Sequence, residues 1–450
     1  MGLFSFFNKK PLMPVLRLRN TLSGELEVFE PVNGAVKMYN CGPTVYDRQH
    51  IGNLRGAVLA NTLKRTLEAW GHKVSHVSNI TDVGHLVSDA DEGEDKMEAA
   101  AKKIGKHTQE IAEEITQLYF ADLDELGIDR KVMRFPRAAQ YIAEQIALVK
   151  TLLQKGYAYK ISDGVYFDTS KSPGYGKLGG ISLSGQQAGA RVEENREKKN
   201  PHDFALWKFS KQSEKREQEW QSPWGIGFPG WHLECTAMIF KLLGKQIDIH
   251  IGGEDLVPIH HNNEIAQAEA VTGKQFVRYW LHNAFITIEG KKVSKSLGNT
   301  IYLTQLADRG ISPRAMRYLY LTAHYRTPMN FTWDSAEGAG AALGRLSRAY
   351  LEMPAGKADE AFLKEFYTAI ANDLDTPKAL AMVWENIKTL KLEVKKEIPE
   401  EVQKLVAERE AARSAKDFAR SDALRAQIEA AGFEVKDTPD GPSLIPFLST

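Results

Sequence analysis

The sequence predicts an α/β protein: an open parallel sheet carrying an insertion, followed by an all-α helical bundle. Three observations carry this expectation. The segment AVKMYN (Ala35–Asn40) alternates apolar and polar residues, a helical stripe follows it, and a second β-rich run, HKVSHVSNI (His72–Ile80), follows the helix. Strand, turn, helix and strand in that order open a parallel sheet. The strand pattern then returns at QIDIHI (Gln246–Ile251), after a long intervening stretch of different character, and from Ser335 onward apolar residues recur almost wholly at helical spacing.

Within the first unit, Leu54, Val58, Leu59, Leu63 and Leu67 mark the helix, which Gly71 stops. Helices are expected over Met97–Leu126 and over roughly 138–154, the second closed by Gly156. Residues 157–222 mix short strands such as GVYFD (Gly164–Asp168) with glycine, serine and charged clusters, including EENREKK (Glu193–Lys199), and read as an insertion. QIDIHI leads to the turn GGED and a helix from about Asn262 to Val271. Three apolar stripes follow: Leu343, Leu346, Tyr350 and Leu351; Phe362, Leu363, Phe366, Tyr367 and Ile370; and Leu380, Val383, Trp384, Ile387 and Leu390. The boundaries are therefore 1–334 with an insertion at 157–222, a helical bundle over 335–400, and a C-terminal region over 401–450.

With 450 residues, 43% hydrophobic and 26% charged, the chain has the composition of a soluble globular protein. No apolar run approaches the roughly 20 residues that span a bilayer. The opening MGLFSFFNKK is apolar then basic, the reverse of a secretory signal, so the expected location is cytoplasmic and no membrane partner is expected. Lys+Arg and Asp+Glu both number 58, which excludes global attraction to nucleic acid and leaves room for a local basic face. Two cysteines exclude a disulfide framework, and on count alone they read as buried free thiols.

Three motifs carry chemistry. In HIGN (His50–Asn53), Gly52 lets backbone approach a ligand, and the helix start offers unpaired N–H groups to a phosphate beside His50. KKVSKS (Lys291–Ser296) places two lysines three residues apart with serines and a nearby glycine, a loop suited to polyphosphate. No GxxxxGK[ST] loop occurs, so a nucleotide must be held by other means. Finally, Cys235 in PGWHLECTAM, with His260 and Glu264 four residues apart in PIHHNNE, joins Cys41 as a scattered set of metal donors; His261 and His232 compete for the imidazole position. In an open parallel sheet ligands gather at the carboxyl ends of strands, and Cys41, Thr81 with Asp82, and Gly252–Asp255 each follow a predicted strand. Asp255 suits a ribose hydroxyl or, equally, a helix cap.

Together, MYNCGPTVYD, HIGN, SNITDV, GVYFD, GARVEENREKKNPHDFALWK, PGWHLECTAM, IHIGGEDLVPIHHNNEIAQAE, YWLHN, KKVSKSLGN, NDLDTPKAL and FARSDALRAQIEAAGFEVKDTPDG resemble, in order and over essentially the whole chain, the cysteinyl-tRNA synthetases, a class I aminoacyl-tRNA synthetase family. The resemblance implies a Rossmann-like catalytic domain with a signature loop at 291–299, and tRNA-binding helices with anticodon recognition in 401–450. It implies one Zn2+ per chain on Cys41, Cys235, His260 and Glu264, and an amino-acid pocket of Gly42, Thr81 and Trp231, with the tryptophan packing over the substrate. It assigns ATP binding to His50, Gly52, Asn53, Asp255, Lys292, Ser294, Lys295 and Ser296, with His50, Asn53, Lys292 and Lys295 catalytic and Mg2+ on the phosphates. The implied partners are tRNA(Cys), L-cysteine and ATP, and the expected state is a monomer.

The chain departs from the family pattern in four places. Asn53 stands where the first signature usually ends in histidine, and Val293 where methionine is usual. GHLVSDADEGEDKM (Gly84–Met97) replaces an aspartate-rich continuation, and PSLIPFLST lacks a terminal tryptophan. Two other functions share the motifs: a cysteine ligase of mycothiol biosynthesis, which needs no tRNA, and a non-catalytic paralogue retaining the fold.

Overall fold

The computed structural model describes residues 13–32, 34–84, 95–180, 195–211, 216–293, 298–354, 356, 359–391, 398–438 and 441–446. An antiparallel pair, β1 (Arg17–Asn20) and β2 (Glu25–Val28), precedes β3 (Val36–Asn40), α1 (Ile51–Ala69) and β4 (Val74–Ser78). Then come α2 (Lys96–Ile104), α3 (Thr108–Glu125) and α4 (Ile142–Gln154), followed by β5 (Ala158–Ile161), β6 (Gly164–Phe167), β7 (Phe204–Phe209) and β8 (Gly227–Pro229). The chain continues through α5 (Trp231–Leu242), β9 (Ile247–Gly253), α6 (Asn262–Thr272), β10 (Val277–Asn283), β11 (Ile286–Ile288) and β12 (Lys291–Lys292). Helices α7 (Leu303–Asp308) and α8 (Pro313–Leu321) lead to β13 (Met329–Phe331), and α9 (Trp333–Glu352), α10 (Glu360–Ala371) and α11 (Thr376–Asn386) form the bundle. The C-terminal region holds α12 (Glu400–Ser414), α13 (Phe418–Ala430), β14 (Phe433–Thr438) and β15 (Gly441–Pro446).

The central sheet has the order β10-β9-β3-β4, with every pairing parallel. Its middle strand β9 is buried from Ile247 to Gly252, as a strand covered on both faces must be. The predicted stripe of α1, Leu54, Val58, Leu59, Leu63 and Leu67, is wholly buried. Each such side chain contributes roughly 1.5–3 kcal/mol by leaving water. The insertion is a separate antiparallel sheet of order β5-β6-β7-β8. Asp373 ties the bundle to the sheet domain: its carboxylate accepts from the Arg19 N–H at 2.8 Å, the Tyr325 hydroxyl at 2.7 Å and Arg326 Nε at 2.7 Å.

Several boundaries differ from expectation. The helix expected over Met97–Leu126 is two helices, because Gly105 takes φ 68° and closes α2 with a left-handed cap before α3 starts at Thr108. The strand expected at His72–Ile80 is regular only over Val74–Ser78, and Thr81 then makes an isolated bridge to Thr44. The insertion's sheet extends past residue 222, since β8 at Gly227–Pro229 completes it. Helices dominate after Ser335, but the chain ends in an antiparallel hairpin, β14–β15, rather than in helix alone. Arg409 in α12, which is buried, grips Asp437 of that hairpin through two hydrogen bonds of 2.8 and 3.0 Å. No described helix is long and apolar enough to cross a membrane.

Candidate active site

All four parallel strands deliver residues to one rim. There they line a cleft of about 590 Å³, whose walls include Cys41, Gly42, Thr81, Trp231, Cys235 and His260 at one end. His50, Gly52, Asn53, Asp255, Phe285 and Lys292 line the other. The volume lies in the range of small-molecule sites. Glu264 lies beneath the first end, fully buried.

At that end, the Cys41 N–H donates to the Ile251 carbonyl at 3.0 Å, fixing the loop to β9. A Cβ at Gly42 would lie 1.7 Å from the Asn79 carbonyl oxygen, so only glycine allows the two rim loops to approach. The Gly42 N–H donates to Asn79 Oδ1 at 2.8 Å, Asn79 Nδ2 donates to Thr81 Oγ1 at 2.9 Å, and Thr81 Oγ1 donates to Glu234 Oε2 at 3.2 Å. Trp231 opens α5 and covers this floor, its ring centroid 4.3 Å from that of His260.

Cys41, Cys235, His260 and Glu264 place one donor atom each within 4.8 Å of one another. His260 owes its direction to a single π-helical turn, Val257–His261, that runs into α6; such turns recur at functional sites. His260 Nε2 lies 3.7 Å from Cys235 Sγ and 3.1 Å from Glu264 Oε1. A second set, Cys41, His250, His261 and Glu264, is equally compact. There, however, His250 Nε2 is engaged with Glu264 Oε2 at 3.0 Å, and the set holds only one sulfur. His261 lies 3.4 Å from Cys41 Sγ through Nε2, while its Nδ1 meets His282 Nε2 at 2.7 Å. His232 stands behind His260, Nδ1 to Nδ1 at 2.9 Å. The first set thus keeps two soft donors and leaves the outer histidines as supports, which suits zinc.

The charges agree with this. A shared hydrogen bond pushes the Cys41 thiol well up and brings Cys235 down to about 7, so Cys235 is the readier thiolate. Burial presses the His260 imidazole down, but the Cys235 sulfur and the Glu264 carboxylate outweigh it and lift the ring to about 10. Burial likewise pushes Glu264 up, and His250 and His260 hold it at about 2. Burial and four neighbouring histidines push His261 well down, leaving it neutral. Glu264 Oε1 is buried beside the two sulfurs, and its one close partner is His260 Nε2 at 3.1 Å, itself a member of the donor set. Two sulfurs, an imidazole and a buried carboxylate oxygen converging within 4.8 Å fit a bound cation.

At the other end, His50 caps α1. Its Nδ1 accepts from the Gly52 N–H at 3.0 Å, which leaves the neutral ring's proton on Nε2 as a donor. Asn53 Oδ1 accepts from the His50 N–H at 3.2 Å, closing a reciprocal cap. Behind them, buried Arg55 donates to four carbonyls: Ala284 at 2.8 Å, Phe285 at 3.3 Å, His324 at 3.0 Å and Thr327 at 2.9 Å. Phe285, whose N–H donates to Glu254 Oε1 at 2.7 Å, keeps its side chain 51% exposed. Lys292 is exposed on β12, and Asn299 Nδ2 donates to its carbonyl at 3.0 Å. Ser294, Lys295 and Ser296 lie outside the described residues.

Of the residues missed from sequence, Tyr39, His250, His282 and Phe285 sit inside or just after strands, and Glu234 lies in the first turn of α5. The single histidines of IDIHIGG and YWLHN are the signals the sequence offers for any of them.

A sequence family described as "tRNA synthetases class I (C) catalytic domain" matches residues 28–340, and the chain is a class I aminoacyl-tRNA synthetase in fold and sequence. The fold agrees with methionyl-tRNA synthetase of Mycobacterium tuberculosis bound by methionyl-adenylate, at TM-score 0.56 and 14% identity over 78% of this chain and 82% of that one. A "Cysteinyl-tRNA ligase anticodon binding domain" matches residues 395–441. "Cysteine--tRNA ligase 1" of Burkholderia lata is 45% identical, covering 95% of this chain and 96% of the relative. "Cysteine--tRNA ligase" of Thermus thermophilus is 42% identical over 95% and 98%. The chain belongs to the cysteine–tRNA ligase family.

Proposed function

We propose that this chain joins L-cysteine to tRNA(Cys) with ATP, through a cysteinyl-adenylate, and that zinc selects the substrate by its thiol. The observation that carries this reading is one cleft with paired thiols at one end and the start of a capped helix at the other. Cysteine's carboxylate attacks the α-phosphate of ATP and pyrophosphate leaves. A terminal ribose hydroxyl of the tRNA, the 2′ in class I enzymes, then takes the cysteinyl group and AMP leaves. No covalent enzyme intermediate is required, so the residues act by position and charge.

The first-turn N–H groups of α1 are paired, against the expectation of free ones. His50 Nε2–H, the Asn53 amide, Lys292 and Lys295 would therefore meet the phosphates with Mg2+, and Gly52 would let them come close. Ser294 and Ser296 would flank them, and Asp255 would accept from ribose. Gly42 and Thr81 would border the amino acid and Trp231 would cover it. Cys41, Cys235, His260 and Glu264 would hold one Zn2+, which when bound offers the substrate sulfur a soft Lewis acid that an alcohol at neutral pH ligates poorly. Serine is nearly isosteric with cysteine, and packing separates such pairs by only about 1–3 kcal/mol. A discrimination of about 10⁴-fold needs roughly 5.5 kcal/mol, which makes sulfur–metal bonding the source of the difference. Residues 1–334 would do this chemistry and 335–450 would grip tRNA, with anticodon recognition in 401–450, in a cytoplasmic monomer.

The test is aminoacylation of a tRNA(Cys) transcript with cysteine and with serine, before and after zinc chelation, alongside Cys235→Ser. Cysteine charging that collapses on chelation, with zinc content lost in the variant, is expected. Full zinc content and full cysteine-dependent ATP–pyrophosphate exchange in Cys235→Ser would remove the site assignment.

A further inference from the structure

Tyr39, on β3 two residues before Cys41, is completely buried, and its hydroxyl has no hydrogen-bond partner. Burying an unpaired hydroxyl is unfavourable, and a phenylalanine would fill the same space without that penalty. The ring is fixed among Cys235, Ile239, Ile265 and Trp280 and lies 5.1 Å from the His250 ring, so the hydroxyl cannot swing to solvent. Cys235 belongs to the same buried cluster, Cys41 packs against that cluster, and the His250 beside the ring holds Glu264 at 3.0 Å, so the hydroxyl is enclosed with the proposed metal donors. Two of the four proposed metal donors thus share one buried cluster with a spare O–H.

The other donors already have outer partners. Glu264 has His250 on its second oxygen at 3.0 Å, and His260 has His232 on its second nitrogen at 2.9 Å. Cys235 is the buried sulfur without such a support until the hydroxyl is counted. We propose that Tyr39 is a positioning residue of the metal centre, whose O–H donates to the Cys235 sulfur when that sulfur is a metal-bound thiolate. The proposal rests on the zinc reading above. The hydrogen bond orients the sulfur lone pairs and draws charge from the thiolate. That leaves the metal acidic enough to take one more sulfur, the substrate's. Outer partners of this kind change metal affinity by about 10–100-fold when removed.

Tyr39→Phe in the full chain tests this with three readouts: Zn2+ affinity by chelator competition, the sulfur-to-metal charge-transfer band of the Co2+-substituted protein, and thermal stability of the metal-free protein. The expected result is metal affinity about 10–100-fold weaker, a shifted charge-transfer band, and a metal-free protein at least as stable as the parent. In a Cys235→Ser background the same change should leave residual metal affinity unaltered, since the accepting sulfur is gone. Affinity within twofold of the parent with an unshifted band would overturn the proposal while leaving the zinc reading intact. A metal-free protein destabilised by Tyr39→Phe, with affinity unchanged, would assign the hydroxyl a packing role and also overturn it. A parent chain that shows no sulfur-to-metal band would instead remove the zinc reading, and the proposal with it.

Discussion

Asn53→Asp should move stability and catalysis in opposite directions. The aspartate is isosteric with Asn53 and keeps the oxygen that accepts from the His50 N–H at 3.2 Å, so the cap of α1 survives. A carboxylate in the first turn also meets the positive end of the helix, which stabilises by about 0.3–1 kcal/mol. The amide hydrogens facing the cleft are lost, however, and a full negative charge takes their place. At a separation of about 5 Å and an effective dielectric of about 20, each phosphate charge is opposed by about 3 kcal/mol. That corresponds to at least about 10²-fold in ATP–pyrophosphate exchange. Asn53→Ala removes the donor and the reciprocal half of the cap, leaving the His50 half, and loses about 0.5–1 kcal/mol of stability and a smaller share of the rate. Stability should therefore run Asp ≥ Asn > Ala, and exchange Asn > Ala > Asp. Exchange in the Asp variant within threefold of the parent, with the unfolding transition unchanged or raised, would take Asn53 away from the phosphates altogether.

Asp82 is buried, and burial pushes its carboxyl up from 3.8 to about 6. Because the folded form holds its proton more tightly than the unfolded chain, stability falls as pH rises from about 4 to 6. Above that the loss stays near about 3 kcal/mol. Asp82→Asn keeps the acceptor for the Ala139 N–H and should flatten that slope and raise stability at pH 7, read by denaturant unfolding across pH 4–8. Phe285 offers an exposed ring in the half of the cleft proposed for the nucleotide, on backbone pinned by Glu254 and Arg55. Phe285→Ala should raise the KM for ATP by about 5- to 100-fold through lost base stacking, with little change in melting temperature, as steady-state exchange kinetics will show.

What the sequence made legible is the part written in turns and spacing. Cys41, Thr81 and Gly252 each end a predicted strand, so the rim they share followed from parallel topology, and the helix after HIGN followed from its leucine stripe. Cys41, Cys235, His260 and Glu264 meet as expected although they come from three distant segments. Their supports were not legible. His250 and Tyr39 occupy strand positions where any large buried residue satisfies the pattern, and which partner a strand residue faces depends on the neighbour across the sheet. The π-helical turn that aims His260 leaves no periodic mark in five residues. The terminal hairpin has a sequence signal in Pro-Asp-Gly between EVKDT and PSLIP, one weaker than the periodicity of the helices before it.

Arg55 has a consequence for behaviour in salt. Its guanidinium is held by four backbone carbonyls, so its positive charge stands one turn behind the helix start without a bonded carboxylate among the described residues. Buried as it is, it is reached poorly by ions in solution, whereas exposed Lys292 is screened within about 8 Å at physiological ionic strength. On the proposed nucleotide site, the pull on an anionic ligand would have two layers, one that fades as salt rises and one cast into the scaffold. ATP affinity should level off at high ionic strength rather than decline to nothing.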